Sequence, residues 1–131
     1  MASLLEDRDE IRDLYARWCV HIDMGTPEQW AALYTDDAMF SLSGSEIVGS
    51  EALKGFAAAT LNSGMGMHHL VVNEVIDVNG DEATGIASVV VFMAGSLTGI
   101  GRYKDTLRRV NGRWRFASRH FEADAGPSPT P

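Results

Sequence analysis

"GMGMHHLVVNEVIDVNGDEATG", residues 64–85, is where the periodicity of the chain changes. Ahead of it apolar residues recur at helical intervals, whereas from Met65 onward the pattern is extended, and Asn79-Gly80 has the chemistry of a tight antiparallel turn. Two adjacent histidines, His68 and His69, stand at the entrance to this strand. Successive side chains on a strand point to opposite faces, so at most one of them faces the interior.

Downstream the strand signal continues through "EATGIASVVVFMA", "LTGIGRYKDTLRRV" and "RWRFASRHFE", joined by "NGD", "GS" and "NGR". Asn111-Gly112 is a second strong hairpin signal, so the C-terminal half reads as a four-stranded meander. Gly85, Gly95, Gly99 and Gly101, inside or beside long strands, are candidate sites of bulge and bend. Upstream, Ser3 and Glu6 have capping-box spacing, and Ile11, Leu14, Tyr15, Trp18, Cys19 and Ile22 form the buried stripe of a long first helix. "TPEQW" restarts a helix, with Thr26 as N-cap, Pro27 in the first turn and Gln29 closing a second box. Trp30, Leu33 and Tyr34 are its buried residues, and it ends at "TDD". "AMFSL" and "EIVG" read as short strands, after which Ser50 caps a third helix through "EALKGFAAATL".

Helices first and a meander second predict an α+β domain, with N-terminal helices packed on one face of a curved, mostly antiparallel sheet that curls around a pocket. One domain over residues 1–122 is expected, followed by a flexible tail over 123–131, "ADAGPSPTP", which has three prolines and nothing apolar to anchor it. Strict alternation puts Val71, Val75, Val89 and Val91 on one sheet face and Leu70, Val72, Ile76, Val90 and Phe92 on the other. A sheet apolar on both faces needs cover on both, which predicts a homodimer through the sheet.

The 131-residue length suits one domain, and 45% hydrophobic with 22% charged residues is ordinary for a globular protein. A net charge of -7 argues against nucleic acid as a partner. Seven of the eleven Lys and Arg residues fall in "RYKDTLRRVNGRWRFASR", where Arg108, Arg109, Arg113 and Arg115 surround an Asn-Gly turn and read as a solvated hairpin tip. No apolar run approaches the ~20 residues of a membrane span, and "MASLLEDRDE" is too acidic for a secretion signal. A single cysteine, Cys19, excludes an internal disulfide and fits a reducing compartment, so a cytoplasmic protein with no membrane contact is expected.

The order and spacing of "IRDLYARWCVHID", "WAALYTDDAMF", "VGSEALKGF", "HHLVVNEVIDVNGDEATG" and "GRYKDTLRRVNGRWRFASR" resemble the SnoaL-like branch of the nuclear transport factor 2-like superfamily, the cone-shaped fold of ketosteroid isomerase, scytalone dehydratase and lindane dehydrochlorinase. The resemblance spans about Ile11 to Phe121 and rests on no single motif. It implies that an Asp near the end of the first helix pairs inside the cone with a His at the start of the first meander strand. The matching positions are Asp23 in "HIDMG" and His69 in "HHLVVN", with His68 facing away.

Such a pair has a chemical use. A carboxylate on one imidazole nitrogen fixes the tautomer and raises basicity, leaving the other nitrogen to remove a proton. The same residues can also form a satisfied buried pair with no substrate, so residue types alone leave catalysis and structure both open. The resemblance implies a cofactor-independent lyase or isomerase, dehydratase- or cyclase-like, acting on a small apolar cyclic or polyketide-like molecule. A non-catalytic binding or interaction module on the same cone is the alternative.

Candidate pocket residues are Tyr15, Trp18, Cys19, Phe40, Phe56, Val71, Val89, Tyr103 and Arg119, with Tyr15 and Tyr103 as possible donors to a developing oxyanion. Aromatics at helical spacing are more often core, Cys19 has no activating partner, and His21 suits the helix C-terminus. A cupin-like metal site would need its two histidines one residue apart on one face, and no phosphate loop or nucleophile elbow is present, so no metal and no cofactor are expected.

Overall fold

A computed structural model describes residues 2–124. It opens with α1 (Leu4–Met24), where Ser3 Oγ accepts from the Glu6 amide, and continues through α2 (Pro27–Ala31) with a complete Thr26/Gln29 capping box. Strands β1 (Tyr34–Leu42) and β2 (Ser45–Val48), helix α3 (Ser50–Leu61), and the long strands β3 (Met67–Asn79), β4 (Glu82–Met93), β5 (Ser96–Val110) and β6 (Arg113–Ala123) follow. They form one six-stranded sheet in the order β2-β1-β6-β5-β4-β3, antiparallel except where β1 runs parallel to β6. The helices pack against one face of this curved open sheet, as expected for the α+β cone. Of the expected tail, Ala123 ends β6 and the Asp124 amide donates to Ile100 O, and 125–131 lie outside the described residues.

Local details depart from the sequence reading. Helix α2 stops at Ala31, so Tyr34 and "TDD" belong to β1, whose register with β6 breaks between Tyr34 and Met39. The N-cap of α3 is Gly49 at φ +88°, without a side-chain cap, and Ser50 is already helical. The first meander turn is Gly80-Asp81, with positive φ only at Gly80, whereas Asn111-Gly112 and Ala94-Gly95 have positive φ at both positions. The two-residue turn then follows the hand that strand twist favours.

A bulge has the larger consequence. The β3–β4 register shifts between Val72 and Val75, with Asn73 at φ +58°. One extra residue reverses the alternation beyond it. Ile76 is therefore buried and Val75 is 60% exposed, the opposite of the faces that strict alternation assigns them.

The core between helices and sheet is built on Ile11, Trp18, Tyr34, Phe40, Leu53, Leu107 and Phe116, all nearly fully buried. At the start of α1, Asp7 ties the helix to the hairpin ends: its carboxylate accepts from Trp114 Nε1 at 3.1 Å and from Arg109 Nη1 at 2.6 Å, while Arg109 also bonds Asp81 and Gly80 O. Arg109 is thus a clasp rather than a solvated tip residue. The hydrogen bond from Trp114, with those from Arg109, holds the Asp7 carboxyl below the usual range despite burial.

At Gly85 on β4 the Tyr15 side chain of α1 lies directly against the strand backbone. A Cβ there would collide with the buried Tyr15 hydroxyl. Gly85→Ala should therefore destabilise the protein by about 1–3 kcal/mol, the usual overpacking cost, and Tyr15→Phe in the same chain should recover most of that loss. Denaturant unfolding of the four combinations checks this; additive losses would show that the contact is not the cause.

Candidate active site

Asp23 sits in the last turn of α1, where the helix dipole disfavours a carboxylate. Its position is explained by what it holds. Asp23 Oδ1 lies 2.6 Å from His69 Nδ1, and Oδ2 accepts from the His69 backbone amide at 2.8 Å. One carboxylate therefore fixes both the strand and the ring of the same residue, 46 positions away in sequence. A carboxylate only accepts, so in the neutral ring Nδ1 is the protonated nitrogen and Nε2 keeps its lone pair. The ring is buried, stands edge-on to Trp18 at 5.6 Å, and forms part of a pocket wall. His68 is exposed on the other face, as alternation predicts.

The pocket is a cleft of about 330 Å³ between α1, α3 and the strands, within the range of small-ligand sites. Five aromatic rings form much of its wall: Trp18, Phe40, Phe56, Tyr103 and Phe121. Its threonines have spent their protons internally, Thr60 on Phe56 O and Thr98 on Val91 O. The Trp18 indole donates to the Tyr34 hydroxyl at 2.7 Å. What faces a ligand with hydrogen-bonding capacity is His69 and the Tyr103 phenol, whose ionisation burial pushes well above the ordinary tyrosine value, keeping it a donor. Another depression, bordered by Asp37, Asp77, Glu82 and Arg108, mixes charged side chains with Val78, Ala83 and Leu107. Among the described residues no three His, Cys, Asp or Glu side chains are placed to hold a metal, and no helix is long and apolar enough to cross a membrane.

Of the residues singled out in the sequence, Trp18, Phe40, Phe56, His69 and Tyr103 line the pocket, and Asp23 stands behind His69. Tyr15, Cys19, Val71, Val89 and Arg119 do not line it. The Tyr15 hydroxyl is sealed against Gly85 and has no hydrogen-bond partner, and burial raises its pKa. Burial also pushes the Cys19 thiol up to about 11, which makes it an inert core residue. His21, which suited the helix end, has its pKa lowered by partial burial and by Arg17. The lining residues missed are Ile22, Leu42, Thr60, Met65, Met67, Met93, Thr98, Gly99 and Phe121, together with Val91 on β4. Met67 shares the face of His69 and Val71, as Met93 shares that of Val91 and Val89, so the faces were legible. Alternation does not say how far along a strand the pocket lies, and two residues change the depth by about 7 Å.

Behind the pocket lies a second polar pair. Arg119 donates from Nε (2.8 Å) and Nη2 (3.0 Å) to Asp105, and both side chains are fully buried. Its guanidinium carbon is 3.8 Å from the centroid of Tyr103, 4.4 Å from Phe116, 4.8 Å from Trp18 and 4.9 Å from Tyr15. Burial alone would lower its pKa, but the Asp105 charge and hydrogen bonds outweigh this and keep the group charged.

Comparison with known proteins agrees with the fold. The profile of a SnoaL-like domain matches residues 3–120. An aspartate-to-asparagine variant of Rv3472, a protein of unknown function from Mycobacterium tuberculosis, is 33% identical, with 93% of this chain and 79% of that chain covered and a TM-score of 0.87. An NTF2-like protein with a cystatin-like fold from Novosphingobium aromaticivorans is 28% identical over 95% of this chain and 86% of its own, with a TM-score of 0.86. A candidate scytalone dehydratase from the same organism is 26% identical over 92% and 86%, with a TM-score of 0.82. No curated protein sequence matches the chain significantly.

Proposed function

Because the chain belongs to the SnoaL-like domain family, we propose that it is a cofactor-independent lyase or isomerase in which Asp23 and His69 carry out general acid/base chemistry on a small apolar cyclic or polyketide-like molecule. The observation that carries this reading is the two-point hold of Asp23 on His69 at the wall of an open apolar pocket. His69 Nε2 removes a proton from a carbon next to an activating carbonyl. Asp23 stabilises the imidazolium that forms without taking the proton itself, and the dry wall strengthens that attraction. Tyr103 donates to the oxygen on which charge develops. The proton on Nε2 then goes to a leaving hydroxyl, which departs as water, or to another carbon of the same molecule. The resemblance to the candidate scytalone dehydratase supports the first outcome. A non-catalytic binding module would use the same pocket without turnover.

His69→Gln should keep the fold and most affinity for a pocket ligand while lowering turnover at least about a hundredfold, the usual scale for a general base. Asp23→Asn should lower it similarly, and the double variant should be little worse than either, because the pair acts as a unit. His68→Gln, on the outer face, should leave turnover nearly unchanged. Substrates for these assays come from a screen of hydroxylated cyclic ketones and polyketide intermediates. Equal damage from His68→Gln and His69→Gln in folded proteins would overturn the assignment.

We also propose that a second copy of the chain covers the outer sheet face. Leu70, Val72, Val75, Ile86 and Ile100 are each about half exposed there, and register places Val90 between Leu70 and Ile100, and Val75 beside Ile86. The charges bordering them are balanced, Lys104 with Glu122 and Arg102 with Asp124, so two copies related by a two-fold axis can exchange ion-pair partners without net repulsion. Light scattering at tens of micromolar should give a dimer, and Val75→Lys with Ile86→Lys a folded monomer. A monomeric wild type would contradict the pairing.

A further inference from the structure

Arg119 is a permanent charge, fully buried, that touches neither solvent nor the pocket surface directly. A lone structural ion pair needs no particular direction, but this one has one. Two of the four rings packed against its guanidinium, Tyr103 and Trp18, are pocket walls; the other two, Tyr15 and Phe116, are not. Asp105 is two residues further along β5 than Tyr103, about 7 Å away from the pocket end. The positive end of the pair thus stands behind the aromatic wall, and its negative end lies further along β5 from the pocket. One guanidinium nitrogen, Nη1, is buried with no hydrogen-bond partner, so Asp105 does not saturate it.

We propose that Arg119 acts as a positioning residue that makes the pocket select weakly acidic oxygen compounds, meaning phenols, enols and ketones that pass through an enolate, and reject ammonium compounds. The proposal rests on the reading of this pocket as the ligand site and names the chemistry of its occupant. Aromatic walls of this kind would ordinarily attract a cation through their ring faces. Here a guanidinium already lies against two of those rings, and its repulsion opposes a second cation. A permanent anion such as a carboxylate also fits poorly, because no cationic side chain lines the cleft to replace its lost hydration. A phenolate or enolate spreads its charge over a ring or carbon skeleton and is less strongly hydrated than a carboxylate, so it loses less on entering and gains from the positive end of the pair, with Tyr103 donating to the same oxygen.

The test uses 4-nitrophenol, whose neutral and ionised forms absorb at different wavelengths, titrated against pH in the presence of saturating protein. Bound to the wild type, the phenol should ionise at lower pH than in solution. It should do so in His69→Gln as well, which removes any share due to proton transfer to the imidazole. Arg119→Met should shift the balance about tenfold toward the neutral phenol, the scale of one charge acting across a ring in a partly screened interior, and Asp105→Asn should shift it further toward phenolate. Opposite signs for the two variants are what a merely structural pair would not give. Should either variant fail to fold, wild-type affinities decide: 4-nitrobenzyl alcohol should bind at least about tenfold more tightly than 4-nitrobenzylammonium. Ionisation at higher pH on the wild type, shifts of the same sign in both variants, or equal affinity for the ammonium compound would overturn the proposal. Loss of the effect in His69→Gln alone would also overturn it while leaving the general-base reading intact, and an unaltered effect in a protein without turnover would do the reverse.

Discussion

The carboxylate of Asp23 joins the last turn of α1 to the first strand of the meander, and the usable geometry of the pocket depends on that junction. Its two oxygens take the ring Nδ1 and the backbone amide of one residue, His69, so the imidazole can neither rotate nor move with the strand without breaking a charge-assisted bond. An Asp at this point of a helix works against the dipole by roughly 0.3–1 kcal/mol. Two short hydrogen bonds offset that cost, and the helix end becomes a fixed point for the strand. At the other end of α1, Asp7 does the matching work on Arg109 and Trp114. The first helix is therefore tied to the sheet by a carboxylate near each end, with Tyr15 and Trp18 packed between.

Polarity inside the cone is sparse and committed. The indole of Trp18 and the hydroxyls of Thr60 and Thr98 are all used within the chain, which leaves an apolar cleft addressed by one imidazole and one phenol. Water held in such a cleft has few partners, so an apolar ligand displaces it easily and then meets the two polar groups without competition. The buried Arg119–Asp105 pair is costly to desolvate, and a hydrophobic pair of similar volume would serve stability as well. Its place directly behind the pocket wall fits a role in the electrostatics of the site rather than in the fold alone.

Much of this was legible in the sequence because it rests on periodicity. The stripe from Ile11 to Ile22 and the alternation from Met65 onward define the helices-then-meander order, and the parity of His68 and His69 separates the inward ring from the outward one. The bulge at Asn73 was not legible, since "VNEV" carries no local mark of an extra residue, and it reversed the faces of Val75 and Ile76. Partnerships between distant side chains were equally hidden. Nothing in "LRRVNGRW" shows that Arg109 reaches back to Asp7, or that Arg119 meets Asp105 across β5 and β6. Parity gave the pocket face but not its depth, so Val71, Val89 and Arg119 were chosen below the level at which Met67, Val91 and Phe121 form the wall.

The most direct test of the dyad is the protonation pattern of the His69 ring, read by nitrogen-15 NMR of the imidazole in the unliganded protein near pH 8. Nδ1 should carry the proton, bonded to Asp23, and Nε2 should show the signature of an unprotonated nitrogen whose shift responds to a ligand in the pocket. A proton resident on Nε2 under those conditions, with Nδ1 unprotonated, would leave no base facing the substrate and would contradict the mechanism.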